Sequence, residues 1–211
     1  MQIIKPYFII ETPIDGEYIL RQLEKAGRTA YKTEDKITAD SAKTFIKKIL
    51  DMGHESVIEH YNITVRIICD RGITHEIVRH RIASYTQEST RYCNYSAGKF
   101  GGEITIIKPC FWNSDNEADK KKYEMWEKAM KEAEKAYLEL INLGASPQEA
   151  RSVLPNSLKT EILMTMNLRE WRHFLKLRTS NTSHPQMREI ARPLLDEFKK
   201  QVPVIFDDIV Y

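Results

Sequence analysis

Apolar residues recur along this chain at two spacings, one typical of helices and one typical of strands. Helical spacing is clearest over residues 38–54, where Ala42, Phe45 and Ile49 share one face and Gly53 follows as a stop. Alternating apolar residues over 61–70 predict a strand with one buried side. The same patterns predict helices over 15–31, 72–81, 116–144, 146–155, 168–178 and 184–206, and strands over 3–10, 101–109 and 158–167.

The order of these elements indicates the fold class. Strands and helices do not alternate regularly, which favours an α+β fold over a doubly wound parallel sheet. At 211 residues the chain is long enough to bury a core without disulfides or structural metals. We therefore predict a single domain over residues 1–211, with a mixed, mostly antiparallel sheet flanked by helices.

Composition narrows the classes of partner. Lysine and arginine number 32 against 30 acidic residues, so a net charge of +2 provides no strongly basic field for nucleic acid or a membrane. Three cysteines without a CxxC pair disfavour a disulfide framework and a zinc knuckle, and fit a reducing cytoplasm. The N-terminus lacks a signal-peptide pattern, and no apolar run reaches the length of a membrane span. We expect a soluble, cytoplasmic protein.

Residues 79–92 differ from the rest of the chain because cations and hydroxyls replace the apolar pattern. The segment is predicted to begin at a helix end and continue as a loop, where binding sites are common. Its cations would repel one another without an anion, and arginine suits a phosphate; pairing with Glu76 and Glu88 in a solvated loop is the alternative. The interleaved hydroxyls favour a bound nucleotide. The cations are Arg79, His80, Arg81 and Arg91, and the hydroxyls are those of Ser84, Thr86 and Ser89.

Two histidine pairs resemble a zinc-binding helix but have a different spacing. His54 and His60 are six residues apart, and His75 and His80 are five apart. Two zinc ligands on one helix face need a spacing of about four residues. The longer offsets turn the second imidazole away from the first. We therefore predict no metal site.

The motif Arg79-His80-Arg81, followed after seven residues by Ser89, resembles the signature of flavin-dependent thymidylate synthases. Further blocks of the chain are similar to that family in the same order, and the chain length suits it. The resemblance extends from about Met52 to Arg192. The additional matching positions are Ser84, Arg91, Tyr92 and residues 53–60, 150–155 and 166–180.

This resemblance implies an activity and its cofactors. Members of the family convert dUMP to dTMP, with methylenetetrahydrofolate giving the one-carbon unit and NADPH reducing a bound FAD. The resemblance also implies a homotetramer with active sites at subunit junctions. Because the cofactor carries the difficult chemistry, the protein has to supply binding, orientation and electrostatics. That division fits a motif of arginines and hydroxyls without a Cys-His pair or a Ser-His-Asp set.

The resemblance also implies roles for individual residues. Arg178 is the implied catalytic residue, because a fixed guanidinium near uracil favours its ionised form and stabilises developing negative charge. His54 is implied to lie near the folate. FAD contacts are implied for Ser56, Arg79, His80, Arg81, Gln87, Asn167, Leu168, Arg169 and His173. Contacts to dUMP are implied for Glu76, Arg79, Gln87, Glu88, Ser89, Thr90, Arg91, Arg151 and Arg178.

Ser89 could instead act as a nucleophile, because a serine among cations can have its oxygen activated. No general base stands at a defined offset from it, so a binding role is favoured. The chain departs from the family pattern at Thr86, where many members have Asn, and at His173, where some do. Both replacements keep a hydrogen-bonding side chain. The segment after Arg178 is longer than in some relatives, so His184 receives no role.

Three other functions stay open on sequence grounds. An RNA-binding module would place arginines of residues 79–92 on phosphates and stack Tyr85 and Tyr92 on bases, but the net charge disfavours it. A metal-dependent hydrolase would need ligands from the histidine-rich segments. A family member that binds nucleotide without turnover is disfavoured by the intact signature arginines.

Overall fold

The structure is a computed structural model that describes residues 1–112 and 116–211. Within these ranges, no helix is long and apolar enough to cross a membrane. The chain divides into two compact units. Unit 1 consists of Met1–Tyr7, Ile67–Arg79 and Thr86–Ile162, and unit 2 consists of Phe8–Arg66, His80–Tyr85 and Leu163–Tyr211.

The strands form two sheets in the described part of the chain. A two-stranded parallel sheet pairs β1 (Gln2–Ile4) with β5 (Thr105–Ile107). The larger sheet consists of β2 (Tyr7–Ile10), β3 (Asn62–Asp70), β4 (Ser84–Gln87) and β6 (Lys159–Asn167), in the order β2-β3-β6-β4. Each strand of this larger sheet contributes residues to both units.

Two predictions about strands are corrected. The predicted strand over residues 3–10 is two strands, because Pro6 has no backbone donor and interrupts pairing. The prediction of a loop over residues 79–92 is wrong for Ser84–Gln87, which form β4 with alternating exposed and half-buried side chains. This strand carries no apolar alternation that would have indicated it. The preceding helix, α3 (Arg71–Ile77), ends before His80.

Unit 1 contains the longest helix of the described residues, α4 (Glu117–Asn142). The short α5 (Pro147–Ala150) begins with the predicted capping box of Ser146 and Glu149. A 3₁₀ turn over Arg151–Val153 follows it. Tyr137 of α4 is fully buried in a core with Tyr95, Ile104, Ile106, Ala150 and Leu158.

Unit 2 is mainly helical. Asp15 and Asn167 cap two of its helices with side-chain oxygens that accept backbone N–H groups. Trp171 lies at the centre of its core, with ring centroids 5.7 Å from Phe174 and 5.3 Å from Phe198. Burial of such side chains stabilises the fold by about 1.5–3 kcal/mol each. The helices are α1 (Gly16–Tyr31), α2 (Ser41–Asp51), α6 (Leu168–Thr179), α7 (Pro185–Gln201) and α8 (Pro203–Phe206).

The coarser prediction of the fold class is confirmed, because helices are combined with an antiparallel sheet. The helix pattern over residues 184–206 corresponds to two helices, since Pro203 cannot continue α7. A single domain over residues 1–211 and a homotetramer stay predictions.

Candidate active site

The three residues of the signature motif lie between α3 and β4 and have different surroundings. Arg79 belongs to unit 1, whereas His80 and Arg81 belong to unit 2. Both arginines are exposed, but His80 is only 5% exposed. The Tyr85 hydroxyl donates to the carbonyl oxygen of His80 at 2.6 Å and holds the backbone at this point. His80 is therefore the buried residue of the motif.

The His80 ring contacts three side chains on one face of α6. Glu170, Phe174 and Arg178 follow one another at intervals of four residues, so they share this face. Nε of Arg178 donates to Nε2 of His80 at 3.0 Å, and a carboxylate oxygen of Glu170 lies 3.4 Å from Nδ1. The Phe174 ring meets the imidazole edge-on, with centroids 4.9 Å apart. One buried imidazole thus contacts an acid, an aromatic ring and a guanidinium.

These contacts determine which nitrogen of His80 carries the proton. The side chain of Arg178 only donates, so Nε2 of His80 has to accept. The proton of the neutral ring is then on Nδ1, directed at Glu170. Burial raises the pKa of Glu170, and His173 partly offsets this effect. Burial and the nearby Glu170 raise the pKa of the Tyr85 hydroxyl to about 12, so it stays a donor.

His80, Glu170 and His173 also form a group of possible metal ligands, with ligand atoms within 4.8 Å of one another. A metal on Nδ1 of His80 would require the ring proton to move to Nε2. Two N–H donors, from His80 and Arg178, would then face each other. The geometry favours a hydrogen-bonded histidine, and the absence of a metal site stays a prediction.

A cavity of about 670 Å³ in unit 2 lies beside α6. Asn167, Arg169 and His173, all predicted to contact FAD, contribute to its lining. Pockets for organic ligands typically have volumes of about 300–1,000 Å³. Oδ1 of Asn167 accepts from the amide of Glu170 at 2.9 Å, which leaves the NH₂ group of Asn167 able to donate to a ligand.

Other residues predicted to contact FAD differ in their hydrogen bonds and in their exposure. Arg169 donates to Glu59 at 2.6 Å on the surface, where such ion pairs exchange at little cost. The amide of Leu168 donates to the carbonyl oxygen of Tyr61, and its side chain is buried. Ser56 is exposed in a 3₁₀ segment. The size of the cavity and its hydrogen-bond donors fit an aromatic cofactor. Its three Lys/Arg side chains are balanced by three carboxylates, so a phosphate group would bind by displacing an exposed partner such as Glu59.

A second cavity in unit 2, of about 680 Å³, lies at α1 and α2. It contains His54, predicted to lie near the folate, and apolar side chains such as Phe45 and Ile49. The Tyr31 hydroxyl is 3.1 Å from Nδ1 of His54, and the Arg28 guanidinium is 4.2 Å from the centroid of Phe45. These aromatic and apolar walls suit a planar ring system.

Glu88, predicted to contact dUMP, lies in unit 1 and is held by two donors. Its carboxylate accepts from the Tyr95 hydroxyl and from Nζ of Lys159, each at 2.9 Å. Burial raises the pKa of Tyr95, and Glu88 adds to this effect. Burial alone would lower the pKa of Lys159, but Glu161 and Glu88 outweigh it and raise the pKa. The carboxylate of Glu88 therefore anchors its segment.

Gln87 and Thr90, on either side of Glu88 and Ser89, are also anchored. Nε2 of Gln87 donates to the hydroxyls of Thr74 and Thr160 at 3.2 and 3.3 Å. Thr90 is buried. These contacts hold the segment after β4 in one conformation, which prepares its outward groups for a ligand.

Cations on the exposed side of unit 1 have fewer contacts. Nε of Arg91 donates to Gln148 at 3.3 Å, and Arg151 is exposed at the end of α5. Arg79 is exposed, and its amide donates to the carbonyl oxygen of Glu76. Exposed guanidinium groups can bind a phosphate without losing a buried partner.

The hydroxyl of Ser89 makes a local contact. Its Oγ accepts from the amide of Arg91 at 3.2 Å. Within residues 1–112 and 116–211, no histidine or carboxylate hydrogen-bonds to this oxygen. This environment disfavours an activated nucleophile, and the binding role of Ser89 stays a prediction.

Several residues of these networks were missed from the sequence. Glu170 could have been found from its spacing to Phe174 and Arg178. The pairing of Lys159 with Glu88 has no such signal, because the two residues are 71 positions apart in sequence. Arg71 was also missed, although its Nη1 is buried without a hydrogen-bond partner and can donate to a ligand.

Comparisons with known proteins identify the family of the chain. A family model described as thymidylate synthase complementing protein matches residues 18–204. Flavin-dependent thymidylate synthases of Pyrococcus abyssi and Corynebacterium glutamicum are 40% and 33% identical to the chain over 168 and 215 residues. These matches cover 79% and 93% of this chain, and 66% and 81% of the relatives. The chain thus spans about two thirds of the Pyrococcus abyssi relative.

A solved structure has the same fold. It is a UMP/dUMP methylase, PolB, from Streptomyces cacaoi bound with 5-Br UMP, with a TM-score of 0.79. The match covers 98% of this chain and 95% of that chain at 20% identity, so it supports the fold alone. The family match extends over residues of both units, and several relatives exceed 30% identity. The chain belongs to the family of flavin-dependent thymidylate synthases.

Proposed function

We propose that this protein converts dUMP to dTMP, with methylenetetrahydrofolate as the one-carbon donor and NADPH as the reductant of FAD. The observation that carries the proposal is the cavity of about 670 Å³ lined by Asn167, Arg169 and His173. Glu170, which also lines it, contacts the His80 ring to which Arg178 donates. Converting a transferred methylene into a methyl group needs two electrons, and NADPH provides them through the flavin.

FAD is proposed to bind in this cavity, where it supplies the redox chemistry that no side chain provides. Asn167 and His173 would donate to it, and Arg169 would exchange its exposed partner Glu59 for a phosphate. Arg81, exposed in the same unit, supplies further positive charge. The other residues proposed to contact FAD are Ser56, Arg79, His80, Gln87 and Leu168.

The phosphate of dUMP is proposed to bind in unit 1. Arg91 and Arg151 are exposed, and Ser89 lies in the turn held by the anchored Glu88. Arg178 is proposed as the catalytic residue, because its guanidinium would stabilise negative charge on the uracil ring without a proton transfer of its own. The remaining residues proposed to contact dUMP are Glu76, Arg79, Gln87 and Thr90.

The folate is proposed to bind at the cavity that contains His54. A pterin ring would lie against its aromatic and apolar walls, which include Phe45. Lys48 also lines this cavity and has no ion-pair partner among the described residues. Its ammonium is therefore able to pair with the carboxylates of a folate tail.

We also propose that residues 1–211 form one functional domain in a cytoplasmic homotetramer with shared active sites. The family match through residues 18–204 supports the single domain. Ile82 of unit 2 is 68% exposed and Tyr92 of unit 1 is 77% exposed, and such exposed apolar side chains support association with other subunits. The free cysteines Cys69, Cys93 and Cys110 support a reducing compartment.

The visible spectrum of the purified protein tests this function. We expect flavin absorption bands after addition of FAD, and faster bleaching by NADPH without oxygen when dUMP is present. Formation of dTMP on addition of methylenetetrahydrofolate completes the test. A protein that takes up no FAD and forms no dTMP would contradict the proposal. Salt-dependent binding to an arbitrary oligonucleotide would then favour RNA binding.

A further inference from the structure

We propose that Glu170 is a positioning residue that acts on Arg178 through His80 and not through contact with dUMP. The inference rests on the proposed function, because it assigns Arg178 to the uracil ring. Glu170 holds the His80 proton on Nδ1, and this leaves Nε2 as the acceptor for the Arg178 guanidinium. The carboxylate of Glu170, two hydrogen bonds away, then contributes to the orientation of the catalytic guanidinium.

The spacing along α6 permits this connection. Glu170 and Arg178 are eight residues apart on one helix face, too far to contact each other along the axis. Phe174 lies between them and packs edge-on against the His80 ring. The imidazole of His80 therefore lies between the side chains of Glu170 and Arg178 and contacts one of them through each ring nitrogen.

The neutral imidazole can carry its proton on either nitrogen, and only one form accepts from arginine. Without an acceptor beside Nδ1, the ring can place its proton on Nε2. Nε2–H would then face the Nε–H group of Arg178, and the guanidinium would have to turn away. Glu170 prevents this by accepting the Nδ1 proton, since its side chain has no other hydrogen-bond partner among the described residues.

Burial protects the hydrogen bonds of His80 from exchange with water. His80 and Arg178 are both buried, so water does not readily replace either hydrogen bond. Tyr85 adds a third constraint through the backbone of His80. A misdirected guanidinium would lower the rate of the proposed reaction, while phosphate contacts in unit 1 would still bind dUMP.

Two substitutions at one position separate positioning from packing. Glu170→Ala removes the acceptor, whereas Glu170→Gln keeps an oxygen that accepts from Nδ1–H. Because Glu170 also lines the cavity proposed for FAD, the rates are compared at saturating FAD. Under that condition we expect Glu170→Ala to lower kcat for dTMP formation by about tenfold to a hundredfold, with little change in KM for dUMP. Glu170→Gln should restore most of the rate. Glu132→Gln, the same chemical change on the exposed surface of α4, serves as the control.

The protonation state of His80 provides a readout independent of activity. In the FAD-loaded protein with ¹⁵N-labelled histidine, NMR should show Nδ1 protonated and Nε2 unprotonated, assigned by comparison with His80→Gln. Glu170→Ala should shift the proton to Nε2, and Glu170→Gln should leave it on Nδ1. Thermal unfolding of each variant verifies that it is folded.

Several outcomes would overturn the proposal. His80 protonated at Nε2 in the unaltered protein, or an unchanged tautomer in Glu170→Ala, would exclude the connection. If Glu170→Gln is folded but forms dTMP as slowly as Glu170→Ala, the positioning role is excluded and Glu170 has only a packing role. Stoichiometric Zn²⁺ binding that Glu170→Ala abolishes would assign the cluster to a metal instead. Unaltered protein that forms no dTMP would overturn the proposed function itself, whatever the tautomer of His80.

Discussion

Two largely buried carboxylates, Glu88 in unit 1 and Glu170 in unit 2, have contrasting electrostatic surroundings. Glu88 accepts from the ammonium of Lys159 and the hydroxyl of Tyr95, so a positive charge, which Glu161 shares, lies directly beside it. Glu170 faces a neutral imidazole, and the guanidinium of Arg178 lies on the far side of that ring. Burial accordingly raises the pKa of Glu170.

This difference indicates that Glu88 mainly affects stability and that Glu170 mainly affects the orientation of another side chain. A compensated ion pair holds its segment in place, and loss of one partner is costly because the other charge stays buried. A carboxylate that acts through a chain of hydrogen bonds instead controls the orientation of a distant group. We therefore expect changes around Glu88 to alter stability and changes around Glu170 to alter turnover.

The largest effect should come from Arg178, at the end of the unit 2 network. Arg178→Ala should lower kcat for dTMP formation by about 10²–10³-fold, because one donor to developing negative charge is lost. Initial rates at saturating dUMP measure the effect. Arg178→Lys keeps the charge but not the planar fork, and should recover only part of the rate. An unchanged kcat in Arg178→Ala would remove this residue from the chemistry.

A smaller effect is expected on the affinities for dUMP and FAD, which we assign to arginines of different units. Arg91→Ala should weaken dUMP binding by about tenfold to a hundredfold, because hydrogen bonds to charged groups contribute about 1.5–3 kcal/mol. Arg169→Ala should weaken FAD binding and leave dUMP binding nearly unchanged. Calorimetry for dUMP and flavin fluorescence for FAD measure the two affinities. If each variant lost affinity for dUMP and for FAD to the same extent, the assignment of dUMP to Arg91 and of FAD to Arg169 would be contradicted.

The ion pair of Glu88 should matter for stability. Lys159→Met should lower the free energy of unfolding by about 1–3 kcal/mol, because Glu88 loses a buried partner. Urea denaturation measures it as a lower midpoint with an unchanged slope. Lys159→Arg keeps the positive charge and should cost less. A midpoint unaltered in Lys159→Met would show that Glu88 needs no compensation.

The smallest effect concerns the pH dependence of stability. Because the pKa of Glu170 is raised in the folded protein, the folded state binds this proton more tightly than the unfolded chain. Its contribution favours folding at low pH and is lost as the pH rises from about 4.3 through the raised pKa. Glu170→Gln should remove this decrease in the free energy of unfolding with rising pH, because glutamine does not titrate. Urea midpoints of the unaltered protein, Glu170→Gln and the exposed control Glu132→Gln across that range measure the effect, and parallel curves would contradict the assignment.

The sequence predicted the candidate site unevenly. The resemblance identified Arg79–Arg81 and the helix with Arg178, but not that His80 would be the buried residue among three cations. Partners of His80 are 90 and 98 residues away in sequence, so local spacing contains no signal for the pairing. The same holds for Lys159, which is 71 residues from Glu88. The short strand β4 was missed because its side chains are polar.

The sequence by itself determined the family, most helices and strands, and the capping box at Ser146, because these depend on local spacing and local hydrogen bonds. The tertiary structure decided which charges are compensated and which nitrogen of His80 carries its proton. These properties depend on burial and on donors brought from distant segments. A residue's charge can be read from its letter, but its chemical role depends on the groups that surround it after folding.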